Sequence, residues 1–448
     1  MEKFPKRRPA KEERCFSSEA VEAKIKEVVD YIQDEELAWL FNNCYPNTLD
    51  TTVNYKESKG EPDSYVITGD IDAMWLRDST AQVWPYLPLI NEDQKLRKMI
   101  KGLIRRQVEF VLRDPYANAF YWDGEQKTPF IEDKPRPKPG VHERKWEIDS
   151  LCAVVRLING YYEQCQDQSI FTDELDQAMR LIYKTFKTEQ RKNDESDYYF
   201  VRKTTEMIES ATFNGTGRPT RKVGLIHSTF RPSDDATLFS YLIPSNLFAM
   251  SALQKLNKLY LEELDDEDFA SSCKELADEV EAAVEKYGVV EHLDYGKIYA
   301  YEVDGFGNRL FMDDANVPSL ISLNYLGIHE DEDQIYKNTR NFLLSDDNPF
   351  FLKGEYAEGQ GSPHSGKKNI WPMGIILRAL TSSDQEEIIS CLKMLKSTHA
   401  ETGFMHESFN KDNPAEFTRD WFAWANTLFG ELILKIYNEK RVILNKIN

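Results

Sequence analysis

Cysteine is scarce in this chain, and the patterns that would give it work are missing. Cys15, Cys44, Cys152, Cys165, Cys273 and Cys391 stand far apart with no Cys-x-x-Cys pair, which signals neither a zinc site nor a disulfide framework and reads as the reduced thiols of a cytoplasmic protein. Long apolar runs are also lacking: none approaches the roughly eighteen residues of a membrane span. The N-terminal Met-Glu-Lys-Phe-Pro-Lys-Arg-Arg carries positive charge with no apolar stretch of a secretion signal behind it. Positive charge is in deficit, with 56 Lys and Arg against 76 Asp and Glu and a net charge of −20. Nucleic acid and membrane surfaces are therefore not expected as partners, because like charges would repel. There is no Walker loop, and Gly215-Thr-Gly217 lacks the third glycine of a dinucleotide turn. Asp304-Gly-Phe-Gly-Asn308 lacks the alternating acids of a calcium loop and reads as a turn. His142, His227, His364 and His406 are scattered, and each alone reads as a hydrogen-bonding residue rather than a metal ligand; no cofactor is expected.

What is abundant is helical pattern. With 448 residues, 41% of them hydrophobic and 12% aromatic, the chain can bury a large core. After a charged leader over 1–17, expected to be mobile, apolar residues recur at three- and four-residue steps over 18–43, where Val21, Ile25, Val28, Val29 and Ile32 form the stripe. The same periodicity marks 92–113, 147–165, 171–190, a helix starting near Ser245, then 265–285 and 332–343. It returns around Ile388–Leu395, where Ser383 with Glu386 fits a capping box, and around Trp424–Leu432. Residues 313–318 stand before a further helical pattern, and Asp294-Tyr-Gly296 separates two β-forming runs, predicting a small hairpin within 289–303. About a dozen helices in pairs, with no propagating repeat, fit an all-α (α/α)6 barrel: one domain over 18–440, with long loops and small β-hairpins at one mouth.

The long loops repeat one theme, carboxylates beside Trp, Tyr, His and Arg. Aromatic faces pack on sugar rings while Asp, Arg and His hydrogen-bond the hydroxyls, so the mixture suits a carbohydrate pocket. Residues 114–146 form the longest such loop, and long loops in compact domains are often functional. The densest cluster is His227-Ser-Thr-Phe-Arg-Pro-Ser-Asp-Asp-Ala236. Its Ser233, Asp234 and Asp235 also suit a helix start, where acids are favoured by the dipole, and both readings stand at this point. Glycoside hydrolysis needs two carboxyl groups flanking the anomeric carbon, one protonated and one ionised. Asp234 and Glu407 are the candidate pair, from loops far apart in the chain. A helix N-terminus and Arg231 would both depress the pKa of Asp234, whereas a general acid should stay protonated.

Seven segments then resemble glycoside hydrolase family 125. They are Thr68-Gly-Asp-Ile-Asp-Ala-Met-Trp-Leu-Arg-Asp-Ser79, the 227–236 cluster, Met312-Asp-Asp-Ala-Asn-Val-Pro-Ser319, Gly361-Ser-Pro-His364, Ile370-Trp-Pro-Met373, His406-Glu-Ser408 and Arg419-Asp-Trp-Phe-Ala-Trp-Ala-Asn426. The resemblance runs from about residue 20 to 437. It implies an (α/α)6 barrel and an exo-acting α-1,6-mannosidase that inverts the anomeric centre without a metal. Asp234 matches the general acid and Glu407 the general base. Trp75, Arg77, Asp78, Arg231, His364 and His406 stand in matching motifs and are expected to line the mannose pocket, with a mannose-containing oligosaccharide as partner. The alternatives are another (α/α)6 glycosidase acting on α-glucosides, or a sugar-binding protein without catalysis. No oligomeric state is expected from the sequence.

Overall fold

A computed structural model describes residues 3–58, 60–193, 195–329 and 333–447. Among these residues are thirteen α-helices. In order they are α1 (Glu19–Tyr31), α2 (Glu35–Cys44), α3 (Asn47–Thr51), α4 (Leu76–Val83), α5 (Gln94–Arg113), α6 (Ile148–Cys165) and α7 (Asp173–Glu189). Then follow α8 (Ile243–Glu262), α9 (Glu267–Ala283), α10 (Gln334–Leu343), α11 (Pro372–Leu380), α12 (Gln385–Thr398) and α13 (Ala423–Lys440).

The long helices are of two kinds. Every residue of α4 is buried, and α6, α8, α11 and α13 are buried on all sides through their first turns. Helices without a solvent face belong inside, whereas α5, α7, α9, α10 and α12 bury a stripe and turn charge outward. The inner helices form a ring: α6 packs between α4 and α8, and α13 between α11 and α4. A single turn at Ile321–Leu323 touches both α8 and α11 and closes the gap, giving six inner positions. Outside them α5 lies against α6, α9 against α8, α10 against the Ile321–Leu323 turn, α12 against α11, and α2 against α13. This is the expected (α/α)6 architecture.

Three short strands, Met74–Trp75, Tyr241–Leu242 and Asn369–Ile370, run directly into α4, α8 and α11, and each is the edge of a three-stranded sheet. Returning loops supply the other strands: Ala119–Phe120 with Val141–Glu143, Glu302–Val303 with Arg309–Leu310, and Ser408–Asn410 with Asn413–Thr418. Strand pairing thus holds the long loops over the N-terminal mouth of the inner ring. The hairpin within 289–303 is present as Val289–His292 paired with Gly296–Tyr299.

Several expected boundaries differ, each for a local reason. The 18–43 helix is two helices, because Asp34 leaves helical geometry and caps α2 by accepting from the Leu37 amide. Asp384, not Ser383, caps α12, accepting from the Glu386 amide. The helix awaited after 313–318 is one turn long. Asp313 accepts from the backbone of Leu320 and Ile321, and Gly327 at φ +71° turns the chain away. Helix α10 begins at Gln334; residue 332, part of the expected span, lies outside the described residues. The leader is docked rather than loose: Arg8 pairs with the buried Asp50, its Nε 2.7 Å from Oδ2, and Phe16 is in the core. The packed body also runs past 440, since Ile443, Leu444 and Ile447 are buried.

Candidate active site

A cavity of about 660 Å³ opens at the N-terminal mouth of the ring. Trp75 and the first turn of α4 (Arg77, Asp78) form part of its wall, with Trp371 before α11 and Phe422 and Trp424 at the start of α13. The loops add Asp234, His364 and Glu407. The N-terminal ends of these helices bring partial positive charge to one place, which favours ionised carboxyls.

Asp234 occupies a tight turn, not a helix start, so the capping alternative falls. Its own φ is +64°, its amide bonds Arg231 O at 2.9 Å, and the Arg231 amide bonds Asp235 O at 2.8 Å. Ser233 donates to Asp314 Oδ2 at 3.0 Å and Asp235 pairs with His364, so both side chains are committed elsewhere. Helix α8 begins only at Ile243. Left-handed backbone at a non-glycine residue is strained, and asparagine and aspartate tolerate it best. Here it turns the carboxyl into the cavity, where Oδ1 meets Trp75 Nε1 at 3.4 Å, Asn118 Nδ2 at 3.1 Å and Arg77 Nη2 at 3.5 Å.

Glu407 precedes the strand Ser408–Asn410. The partner strand carries Thr418, whose Oγ1 donates to Glu407 Oε2 at 3.0 Å, and the next residue, Arg419, places Nη1 3.4 Å from Oε1. Cross-strand register between Ser408 and Thr418 thus aims the second acid.

Around the two acids lies a dense set of charges. Arg77 is buried, with Nη1 on Glu147 Oε2 at 2.6 Å and Asp149 Oδ2 at 3.0 Å. Asp78 is buried beside it; burial lifts its pKa to about 6 against the pull of Arg77, and its Oδ2 has no hydrogen bond. His364 places Nδ1 2.8 Å from Asp235 Oδ1, and although burial opposes its charge, the hydrogen bond and attraction of Asp235 carry it to about 9. Burial favours a neutral Asp234, but a hydrogen bond with Glu147 and the charges of Arg77, Lys145 and His364 take it below the ordinary carboxylate range. Glu147 moves the opposite way, raised first by burial and then by Asp234. The difficulty foreseen for Asp234 is therefore real, and its main source is a neighbouring carboxyl rather than Arg231.

Of the eight residues singled out from sequence, six line the cavity: Asp234, Glu407, Trp75, Arg77, Asp78 and His364. Arg231 and His406 do not, and their expected place against the sugar is corrected. Arg231 points backward onto the fully buried Glu302, Nε to Oε1 at 2.6 Å. The His406 ring stacks on Phe417 with centroids 3.7 Å apart, and burial lowers its pKa to about 4. Sequence reasoning did not single out Lys145 and Arg202, which also line the cavity, or Asn118 and Glu147 beside Asp234. Three of the four lie in or beside the 114–146 loop, whose length was the available signal. Among the described residues no group of three or more His, Cys, Asp or Glu is arranged to hold a metal ion.

A closed ring of helices whose mouth gathers two acids among tryptophans, arginines and a histidine is the architecture of a glycoside hydrolase. The chain belongs to the metal-independent α-mannosidases of family GH125, whose profile matches residues 34–434. It is 42% identical over 462 residues to the Meiotically up-regulated gene 157 protein of Schizosaccharomyces pombe, across 99% of this chain and 91% of that one. A Streptococcus pneumoniae protein, solved in a study of widely distributed metal-independent α-mannosidases as a non-productive complex with α-1,6-mannobiose, matches with a TM-score of 0.91 and 39% identity. The match covers 95% of this chain and 100% of that one. A bacterial glucoamylase complexed with acarbose shares the fold alone, at TM-score 0.52 and 12% identity over 84% of this chain and 50% of its own.

Proposed function

We propose that the protein is an exo-acting, inverting α-1,6-mannosidase that releases non-reducing terminal mannose from short α-mannosides. The observation that carries this reading is the presence of Asp234 and Glu407 in one cavity with Asp78 and His364, in a chain of this family. The S. pneumoniae relative's complex with α-1,6-mannobiose supports the linkage. The cavity's floor, on the first turns of packed helices, supports exo action, since a pocket backed by core admits a chain end more readily than an internal sugar.

In this mechanism Glu407 takes a proton from water as the oxygen attacks the anomeric carbon. The bond to the leaving oxygen breaks, and Asp234 supplies that oxygen's proton. Inversion calls for carboxyls about 6.5–9.5 Å apart, leaving room for the water. Asp78 offers its carboxyl to a sugar hydroxyl, and the Trp75, Trp371 and Trp424 rings offer apolar faces to the ring carbons.

A ¹H NMR time course on α-1,6-mannobiose tests this directly: β-mannose should appear first and equilibrate later. An α-anomer appearing first would reject inversion, and binding without turnover would reject catalysis. Asp234→Asn and Glu407→Gln should each remain folded and lose about 10²–10⁴-fold in kcat; near-normal turnover by either variant removes it from the chemistry.

A further inference from the structure

We propose that Glu147 is a positioning residue that shares one proton with Asp234, so that the working acid is a carboxyl pair rather than Asp234 alone. The proposal rests on the function set out above and extends it to a residue behind the cavity wall.

Three features of the geometry carry it. First, Glu147 and Asp234 converge on one cation: Arg77 Nη1 lies 2.6 Å from Glu147 Oε2 and its Nη2 3.5 Å from Asp234 Oδ1, so two carboxyls share a single guanidinium. Second, Asn118 Nδ2 has two hydrogens but lies within bonding distance of three carboxyl oxygens: Glu143 Oε2 at 3.1 Å, Glu147 Oε1 at 3.2 Å and Asp234 Oδ1 at 3.1 Å. Its Oδ1 accepts from the Lys145 amide at 3.1 Å, which fixes the amide's orientation. Third, the charges do not balance without a proton. Asp78 from α4, Glu143 from its strand, Asp149 from α6, and the pair itself face Arg77 and Lys145. Arg202 meets Glu143, Nη1 to Oε1 at 2.8 Å, but is shared with Asp133 and Glu209, and Arg419, which acts on Asp78, is shared with Asp70 and Glu407. His142 stands beside Trp75 and His364 across the cavity, but His364 is already committed to Asp235. Buried carboxylates in excess of their counter-charges keep a proton.

The two members differ in exposure. Glu147 is fully buried, held by Arg77 and by Ser150 Oγ at 3.0 Å, whereas the Asp234 side chain is 26% exposed. With water at Asp234, the proton belongs on Glu147. A sugar that covers Asp234 removes that water, and the stability of its ionised form goes with it. The Glu147 O–H bond then breaks as the Asp234 O–H bond forms. When the glycosidic bond cleaves, the same proton passes to the leaving oxygen, leaving both carboxyls ionised. Glu407 holds the proton taken from water and releases it to solvent, and the pair takes up one proton for the next turnover. This resolves how a carboxyl in a strongly cationic setting acts as an acid.

The test is Glu147→Gln, which keeps size and hydrogen bonding but cannot carry the proton. In the variant, the alkaline limb of kcat/KM for α-1,6-mannobiose should move at least one pH unit lower. Activity at pH 7 should fall at least tenfold and recover toward wild type as pH is lowered, with KM changed less than threefold. On 2,4-dinitrophenyl α-mannoside, whose leaving group needs little protonation, the deficit should be under threefold. Glu147→Asp should restore part of the limb. An unmoved limb, or the same loss on both substrates at every pH, overturns the proposal in favour of a structural role. If the Gln variant does not fold, the wild-type limb decides: near pH 4 it overturns the pair, above about 6 it supports it. Wild type inactive on both substrates would instead reject the proposed function.

Discussion

Replacing Arg231 by methionine separates a sugar-binding role from a structural one. The guanidinium and Glu302 form an ion pair 2.6 Å long between groups 5% and 0% exposed, and Glu302 Oε2 also accepts from the amides of Leu238 and Phe239 at 2.9 and 2.8 Å. Removing one partner of such a pair strands a buried charge and costs about 3–5 kcal/mol. An unfolding entropy of about 2.1 cal/mol/K per residue gives roughly 0.9 kcal/mol/K for 448 residues, so Tm should drop by about 3–5 °C. Adding Glu302→Gln removes the stranded charge while keeping an oxygen for the two amides, and should bring Tm back to within about 1 °C of wild type, as expected when a buried pair is removed whole. Thermal unfolding of the two single variants and the double variant gives the coupling. Because the side chain faces away from the cavity, KM for mannobiose at 20 °C should stay within twofold throughout. A tenfold rise in KM with unchanged Tm would refute this placement and return Arg231 to the sugar.

Asp235→Asn should lower the titration of His364 from about 9 toward its ordinary 6.5, read by NMR of the imidazole. Because the folded-state value is raised, the pair's stabilisation is complete below about 6.5 and is lost as pH rises through 9; the wild-type fall in Tm across that interval should shrink in the variant, and an equal fall in both would sink the assignment. Gly69→Ala should destabilise by at least about 1–3 kcal/mol, since Gly69 sits at φ +134° and an added Cβ would run into the Trp421 carbonyl. It should also lower kcat by moving Asp70 away from Arg419, which contacts Glu407; wild-type Tm and kcat in this variant would show that the antiparallel bridge between Gly69 and Phe422 does not set the position of Glu407.

Helices were readable in the sequence where one face alone is buried. The stripes of α5, α7 and α9 give boundaries within about two residues, because the period is imposed by a boundary between core and solvent. The split at Asp34 was not anticipated, since Val29, Ile32 and Leu37 keep the apolar spacing across the break. The docking of the leader escaped because it depends on one distant carboxylate, Asp50, and ion pairs leave no periodicity. The same limit explains the site. Asp234 stands out by residue type in a dense stretch and Trp75 through a motif of the family the chain resembles, and both line the cavity, but loops have no period to say which way a side chain points. Arg231 stands three residues before Asp234 and faces the opposite side of the turn.

The surplus of acids at the mouth follows from the architecture. A ring that opens at the N-terminal ends of its inner helices surrounds the substrate with partial positive charge, and Asp78 and Asp149 occupy first-turn positions where that charge favours carboxylates. The same field favours the ionised form of a carboxyl, which works against the role proposed for Asp234 as an acid. More cations would deepen the conflict, and burying Asp234 would remove it from the substrate. What reconciles the two is excess negative charge packed behind Asp234, with Glu147 closest and Asp149 and Glu143 beyond it, so that the region keeps a proton whichever carboxyl holds it. On that argument, neutralising Glu143 or Asp149 should also weaken proton retention, but less than Glu147, because Glu143 shares only Asn118 and Asp149 only Arg77 with Asp234, while Glu147 shares both. Alkaline limbs ordered with Glu147→Gln lowest would bear this out, and equal shifts for all three variants would reduce the pair to a general field effect.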